Sequence, residues 1–169
     1  SRANAGRLAI IGAGVQARSH LEALQHVRQI TDVRIWSPRP QSRRQFVDDM
    51  SPQVPVPIVA AETAEAAVRD ADLIVLATSS KTPVVESAWV GRGAHVMCIG
   101  ACRPDQREMA PELVQRSRLF VDSRAAALVE SGDVVMNIAQ GFFDASHLRG
   151  EIGELVLGRV TGREAEADV

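Results

Sequence analysis

Gly12, Gly14 and Ala17 are spaced as G-x-G-x-x-A, and they follow directly on the apolar run Leu8-Ala9-Ile10-Ile11. Ala17, Leu21 and Leu24 then recur at helical spacing. A strand, a glycine turn and a helix are the context in which this spacing becomes a dinucleotide fingerprint; without those flanks it is an ordinary turn. Gly12 permits the tight turn, Gly14 lets the backbone come close to a pyrophosphate, and Ala17 is small enough for close helix–strand packing. The helix presents free N–H groups and the positive end of its dipole to the phosphates. The chemistry implied is dinucleotide binding through Gly12, Ala13, Gly14, Val15 and Gln16.

Which dinucleotide is read at the end of the second strand, Val33-Arg34-Ile35-Trp36. An NAD site places Asp or Glu there, roughly 20 residues beyond the glycines, to accept hydrogen bonds from the ribose hydroxyls. Here Ser37, Pro38 and Arg39 follow, with Arg43 and Arg44 close behind, and Asp32 lies at the wrong end of the strand. Without a carboxylate to repel it, a 2′-phosphate can be held by Ser37 and Arg39 through charge-assisted hydrogen bonds. NADP is therefore the expected cofactor and NAD the alternative. The competing reading of these arginines is a solvated helix face.

The elements that must position these residues alternate along the chain. After the strands at 8–11 and 33–36 and the helix at 16–29 come a short helix with Phe46, Val47 and Met50, a proline-rich loop at 51–57 and a weak strand at 58–60. Thr63 caps a helix running to Arg69, and 73–78 is apolar enough for a central parallel strand. Strands are also expected at 95–100 and 119–122, a helix at 124–130, a turn at 131–133, and a last helix over 145–158 with Leu148, Ile152, Leu155 and Val156 on one side. Six strands with intervening helices predict an α/β fold, a doubly wound, mostly parallel Rossmann sheet with helices on both faces. Ligands are then expected at the carboxyl ends of the strands, where Thr78, Ser79, Ser80 and Ile99 lie.

Composition excludes several other classes. The 169 residues carry a net charge of −2 and 24% charged side chains, which offers no electrostatic footprint for nucleic acid or an anionic membrane. Aromatics are 4%, without tyrosine, too few for a base-stacking platform. No apolar run reaches the ~20 residues of a membrane span, residues 1–6 do not read as a signal peptide, and two cysteines make no disulfide framework. A cytoplasmic location is expected.

Other reactive residues are weaker candidates. Cys98 and Cys102 lack the partners of a zinc site, so no metal is expected. Arg103 is suited to lowering the Cys102 pKa, but no base stands nearby, and a small side chain lining the pocket is the simpler role. The histidines at 20, 26, 95 and 147 show no triad or chelating spacing, and G-x-S-x-G is absent. Asp122 and Asp133 fall where ligands bind; for Asp122, capping the helix that starts at Arg124 is an equal alternative.

The segments Gly12-Ala13-Gly14-Val15-Gln16-Ala17-Arg18-Ser19-His20, Val33-Arg34-Ile35-Trp36, Gly100-Ala101-Cys102-Arg103-Pro104-Asp105, Val121-Asp122-Ser123 and Glu130-Ser131-Gly132-Asp133-Val134 together resemble the ornithine cyclodeaminase/mu-crystallin family. The likeness covers about residues 7–158 and is nearest to the ketimine reductases. It implies a pyrophosphate on residues 12–17, the adenosine 2′-phosphate near Ser37, and the adenosine and ribose beside Thr78, Ser79 and Ser80. Ile99, Gly100 and Cys102 would then adjoin the nicotinamide and substrate. Members with cyclodeaminase activity carry a catalytic Asp where this chain has Cys102, which weakens the lyase reading. The mammalian members place an arginine where Pro38 stands, so phosphate recognition must shift to Arg39.

Family enzymes also contain a substrate-binding and dimerisation domain that is expected to lie outside these 169 residues. The expectation is a single NAD(P)-binding Rossmann domain, residues 1–169, of an NADPH-dependent reductase of pyrroline- or piperideine-2-carboxylate. By itself it would bind nucleotide weakly and turn over no substrate; the parent would be a homodimer acting on a small amino-acid-derived substrate. The alternatives are an ornithine cyclodeaminase or an alanine-dehydrogenase-like NAD enzyme, and an NADP-dependent small-ligand binder of the kind mu-crystallin illustrates with thyroid hormone.

Overall fold

β1 (Arg7–Ile11) is the centre of a parallel sheet because both of its edges are taken. β2 (Asp32–Trp36) pairs on one side and β4 (Leu73–Leu76) on the other. β3 (Ile58–Ala60) and β5 (His95–Cys98) complete the order β3-β2-β1-β4-β5. The computed structural model describes residues 1–169. Side chains alternate across the sheet, so Leu8 and Ile10 enter one core with Leu21, Phe46 and Met50, while Ala9 and Ile11 enter the other with Ala67, Val68 and Leu113. The first core is covered by α1 (Val15–Val27) and α2 (Pro40–Met50), the second by α3 (Ala64–Val68) and α4 (Pro111–Arg116). β4 lies between both cores and is buried at every residue, as its unbroken apolar run requires. Each Leu or Ile so placed contributes about 1.5–3 kcal/mol.

The chain leaves β1 toward β2 and returns after β3 to build β4 on the opposite side. That reversal opens a crevice at the carboxyl ends of β1 and β4, the expected place for a ligand in a doubly wound sheet. Thr63 caps α3 as expected, its Oγ1 accepting the Ala66 N–H at 3.0 Å. β4 stops at Leu76 and β5 at Cys98; Ala77 and Ile99 make the last bonds to the neighbouring strands, and Thr78 and Gly100 beyond them form the rim of the crevice.

The C-terminal third departs from expectation in three places. β6 (Leu119–Val121) does not extend the main sheet; it pairs in parallel with β7 (Leu148–Glu151) as a separate ribbon. The helix expected over 145–158 is a 3-10 turn at Ala145–His147, then β7, then the short α7 (Ile152–Val156). Leu148 and Gly150 are buried while Arg149 is exposed, a period of two, and Gly150 is held against Val160 and Phe120. Ile152 and Val156 stand in solvent at 53% and 81% exposure, so no buried helical stripe exists. The turn read at 131–133 is the start of α6 (Gly132–Ala139), which follows α5 (Arg124–Glu130) directly. Ser, Gly and Asp favour helix N-termini as well as turns, and Val134, Val135 and Ile138 continue the helix. No helix is long and apolar enough to cross a membrane.

Burial at the start of β5 holds the His95 imidazole down at about 4 from its ordinary 6.5, with the N-terminal amine, Arg163 and Arg28 adding repulsion. The unfolded chain therefore takes up this proton first, and stability falls as pH drops from about 6.5 toward 4. The loss is at most about 3 kcal/mol. Denaturant titrations at pH 7.5 and 4.5 measure it, and in His95→Gln the difference between the two pH values shrinks by that contribution.

Candidate functional site

Three strand ends meet at the crevice because glycines let their backbones touch. Gly12 has φ +112°, and a Cβ there would lie 2.3 Å from the Ala77 carbonyl oxygen. A Cβ on Gly100 would lie 1.9 Å from the Thr78 carbonyl oxygen. Gly12 donates its N–H to Trp36 O at 2.8 Å, and Ala77 donates to Ile11 O at 2.8 Å, so the ends of β1, β2 and β4 are tied together.

α1 starts on that platform at Gly14 with no side-chain cap. Its first N–H groups lack intrahelical acceptors, and a Cβ built on Gly14 would meet nothing within 4 Å. Gly14, Val15 and Gln16 are exposed, whereas Ala17 is fully buried against the sheet. An anion approaching from solvent meets the helix dipole and free donors with no side chain in the way. This fits a pyrophosphate.

Beside the loop, Ala13, Arg18, Gln41, Ser42 and Gln45 line a groove between α1 and α2. Arg18 lies 5.3 Å from the centre of the Phe46 ring and is paired with Asp49 at 2.9 Å. Arg18, Gln41 and Ser42 were not singled out from sequence. The signal available was Arg18 directly after Ala17 of the fingerprint, and Gln41 and Ser42 in the first turn after Pro40. Arg39 is exposed at the head of α2, as a phosphate ligand must be. Ser37 is buried and its hydroxyl donates to Arg39 O at 3.3 Å, so it shapes the turn that presents Arg39. Arg43 is neither a free cation nor part of a solvated face: it is buried and donates to Ala61 O and Glu62 O, bracing α2 against the turn after β3. Arg44 is exposed.

Across the crevice, Thr78, Ser79 and Ser80 follow β4, and the Thr78 hydroxyl accepts the Ser80 N–H at 3.2 Å. Ile99 and Gly100 are half-buried at the end of β5. Cys102 is exposed one turn beyond, its thiol donating to Ile99 O at 2.9 Å.

The residue that joins these two loops was not visible from sequence. Glu108 is fully buried, and its carboxylate accepts the Thr78 N–H at 2.6 Å and the Gly100 N–H at 2.7 Å. Asp133 holds it from behind, accepting the N–H groups of Glu108 (3.2 Å) and Met109 (3.1 Å). Asp133 is thus an internal brace at the start of α6, not a ligand-facing turn residue. Arg107 extends the brace: its N–H meets Ser80 O at 2.9 Å and its guanidinium reaches Asn137 (3.3 Å) and Gln140 (3.0 Å). Burial pushes both carboxyl groups above their ordinary range, against the backbone bonds that pull them down. They therefore stabilise the fold more as pH falls toward the ordinary carboxylate range, opposite in sign to His95.

Cys98 has its backbone on an exposed edge, but its Sγ points inward, 3.4 Å from Glu108 Oε2 and 3.3 Å from Asp133 Oδ2. Burial and the two carboxylates push its pKa well up, so it remains a thiol. Asp122 is not the cap of α5; Ser123 fills that role, accepting from Ala126 N–H at 3.4 Å. Asp122 accepts the Ser123 N–H at 2.8 Å and stays exposed.

The ornithine cyclodeaminase/mu-crystallin family matches over residues 1–169. A ketimine reductase mu-crystallin of Macropus fuliginosus is 38% identical over 151 residues, covering 89% of this chain and 45% of that protein. The Thermococcus litoralis Δ1-pyrroline-2-carboxylate reductase, solved with NADH and L-proline, superposes with a TM-score of 0.96 at 34% identity, over 99% of this chain and 52% of that one. An archaeal alanine dehydrogenase dimer with bound NAD superposes at 0.93 with 30% identity, over 99% and 51%. The chain spans about half the length of the relatives it matches.

Proposed function

Because the chain belongs to the ornithine cyclodeaminase/mu-crystallin family, we propose that it is the nucleotide-binding part of an NAD(P)H-dependent reductase of cyclic imine 2-carboxylates. The observation that carries this reading is the uncapped start of α1 at Gly14, open to solvent at the reversal point of the sheet. Gly12, Ala13, Gly14, Val15 and Gln16 hold the pyrophosphate, and Thr78, Ser79 and Ser80 border the ribose side. Ile99, Gly100 and Cys102 line the nicotinamide and substrate side. When bound, the reduced nicotinamide supplies hydride to the C=N carbon, and the chain's share is orientation and exclusion of water. Cys102 offers no carboxylate for a cyclodeaminase-type proton transfer, which favours the reductase over the lyase. The pyrroline-2-carboxylate and ketimine reductases among the relatives support the substrate class.

NADP is the cofactor proposed, since Arg39 stands exposed where a 2′-phosphate would lie and no carboxylate opposes it. The reading places the substrate-binding half in the rest of a two-domain homodimer. Titration of the 169 residues with NADPH and NADH tests it: NADPH binds more tightly, and Arg39→Ala reduces that preference about tenfold. Equal affinities, or a preference for NADH unchanged by Arg39→Ala, would return the chain to the NAD-dependent dehydrogenases. The same protein reduces no pyrroline-2-carboxylate by itself, and measurable steady-state turnover would refute the two-domain reading.

A further inference from the structure

The groove between α1 and α2 opens beside the turn at residues 12–17 and encloses about 280 Å³, room for a phosphoryl group and its waters. Ala13 on its wall belongs to that turn, Gln41 and Ser42 to the first turn of α2, and Gln45 to the second. Arg18 completes the lining and is its only charged residue. One guanidinium, two amides and a hydroxyl, with no carboxylate among them, make a lining rich in donors. Such a groove suits an anion.

Arg18 is held there loosely. Its guanidinium lies over the ring of Phe46, 5.3 Å from the centre, and Phe46 is fully buried, so the ring is a fixed floor. Its ionic partner is Asp49, Nη2 to Oδ2 at 2.9 Å. That pair is open to solvent, with 27% of the Arg18 side chain and 40% of the Asp49 side chain exposed, and an exposed pair holds its members weakly. Asp49 has a second donor in Gln45 Nε2, 2.7 Å from Oδ1, so it stays partnered when Arg18 turns away. Arg43 is the contrast: buried and donating to the Ala61 and Glu62 carbonyls, it is committed to the fold.

We propose that Arg18 is a second cation for the adenosine 2′-phosphate: paired with Asp49 in the free chain, it exchanges that carboxylate for the phosphate when NADPH binds. With Arg39 it then sets the preference for NADPH over NADH. The inference rests on the reading of residues 12–16 as the pyrophosphate loop and of Arg39 as a phosphate ligand. Ala13 places the groove next to that loop, and Gln41 and Ser42 place it in the helical turn that follows Arg39. A phosphate on the adenosine ribose therefore falls between the two arginines, with the Ser42 hydroxyl and the Gln41 amide as neutral donors. Giving up an exposed ion pair costs little, while a guanidinium on a phosphate dianion forms short, charge-assisted and often bidentate bonds. NADH carries a hydroxyl at this position and offers Arg18 nothing in exchange. Asp49 is thereby part of the selectivity, because it competes with the phosphate for Arg18.

The test titrates the 169-residue chain with NADPH and with NADH at low ionic strength and reads the ratio of the two dissociation constants. Arg18→Met keeps an unbranched apolar side chain on the Phe46 ring and removes the charge; it cuts the preference for NADPH about tenfold. Asp49→Asn raises the preference about threefold, and the gain disappears in Arg18→Met/Asp49→Asn. A purely structural role for Arg18, or a general relief of negative charge, would not produce that dependence. Arg39→Ala, titrated alongside, separates the two readings. A preference that falls in Arg39→Ala and is unchanged in Arg18→Met overturns this inference and leaves the NADP reading standing. A wild-type chain that binds NADPH no more tightly than NADH overturns both. An Asp49→Asn effect that is absent, or equal with and without Arg18, overturns the exchange.

Discussion

Glu108→Ala lowers the unfolding free energy by about 2–4 kcal/mol, measured by urea denaturation at pH 7. The magnitude follows from what the carboxylate leaves behind. Two N–H groups, on Thr78 and Gly100, lose a partner at 2.6 and 2.7 Å, and each unsatisfied donor costs about 1–3 kcal/mol, less where water can enter. The vacated side chain also opens a cavity between β4, β5 and α6. Nucleotide affinity falls as well, because the loops on the two sides of the crevice are no longer joined. Glu108→Gln keeps the volume but offers one acceptor oxygen and an unwanted donor, so its loss lies between wild type and Ala. A Glu108→Ala chain within 0.5 kcal/mol of wild type would show that water replaces the carboxylate without penalty.

Gly12→Ala and Gly14→Val separate folding from binding. At Gly12 the new Cβ falls 2.3 Å from Ala77 O, at a φ of +112° that L residues rarely adopt. Neither atom is the free end of a side chain, so the β1–β4 contact must open, at a cost of about 3 kcal/mol or more. Gly14 has open space above it, and Val there leaves the unfolding free energy within about 0.5 kcal/mol of wild type. Its side chain instead occupies the approach to the first turn of α1, and nucleotide affinity drops about a hundredfold or more. Equal nucleotide affinity in Gly14→Val and wild type would remove the pyrophosphate from this helix.

The parts of the fold that local rules govern were legible. Residues 8–17 carry a strand, a turn and a helix in consecutive positions, and the sterics of Gly12 and Ala17 act between near neighbours, so the pattern could be read without the rest of the molecule. β3 and α5 fall where periodicity places them. The missing carboxylate at the end of β2 was equally plain. Misreadings began where two local patterns share one residue set. Leu148, Ile152, Leu155 and Val156 suit a helix, and Leu148 with Gly150 suits a strand; only the presence of β6 alongside decides for the strand. Ser131, Gly132 and Asp133 suit a turn or a helix start, and the buried N–H groups of Glu108 and Met109 select the start by bonding Asp133.

By itself, then, the sequence determined the doubly wound class, the strand–glycine turn–helix at residues 8–17 and the basic head of α2, because each is set by spacing within a few residues. Tertiary structure alone decided that Arg43 braces the fold while Arg39 remains free, and that Glu108, which belongs to neither strand, joins the loops that follow β4 and β5. Those outcomes depend on which distant donors and acceptors burial brings together, and a buried polar group must find its partner wherever the chain happens to supply one.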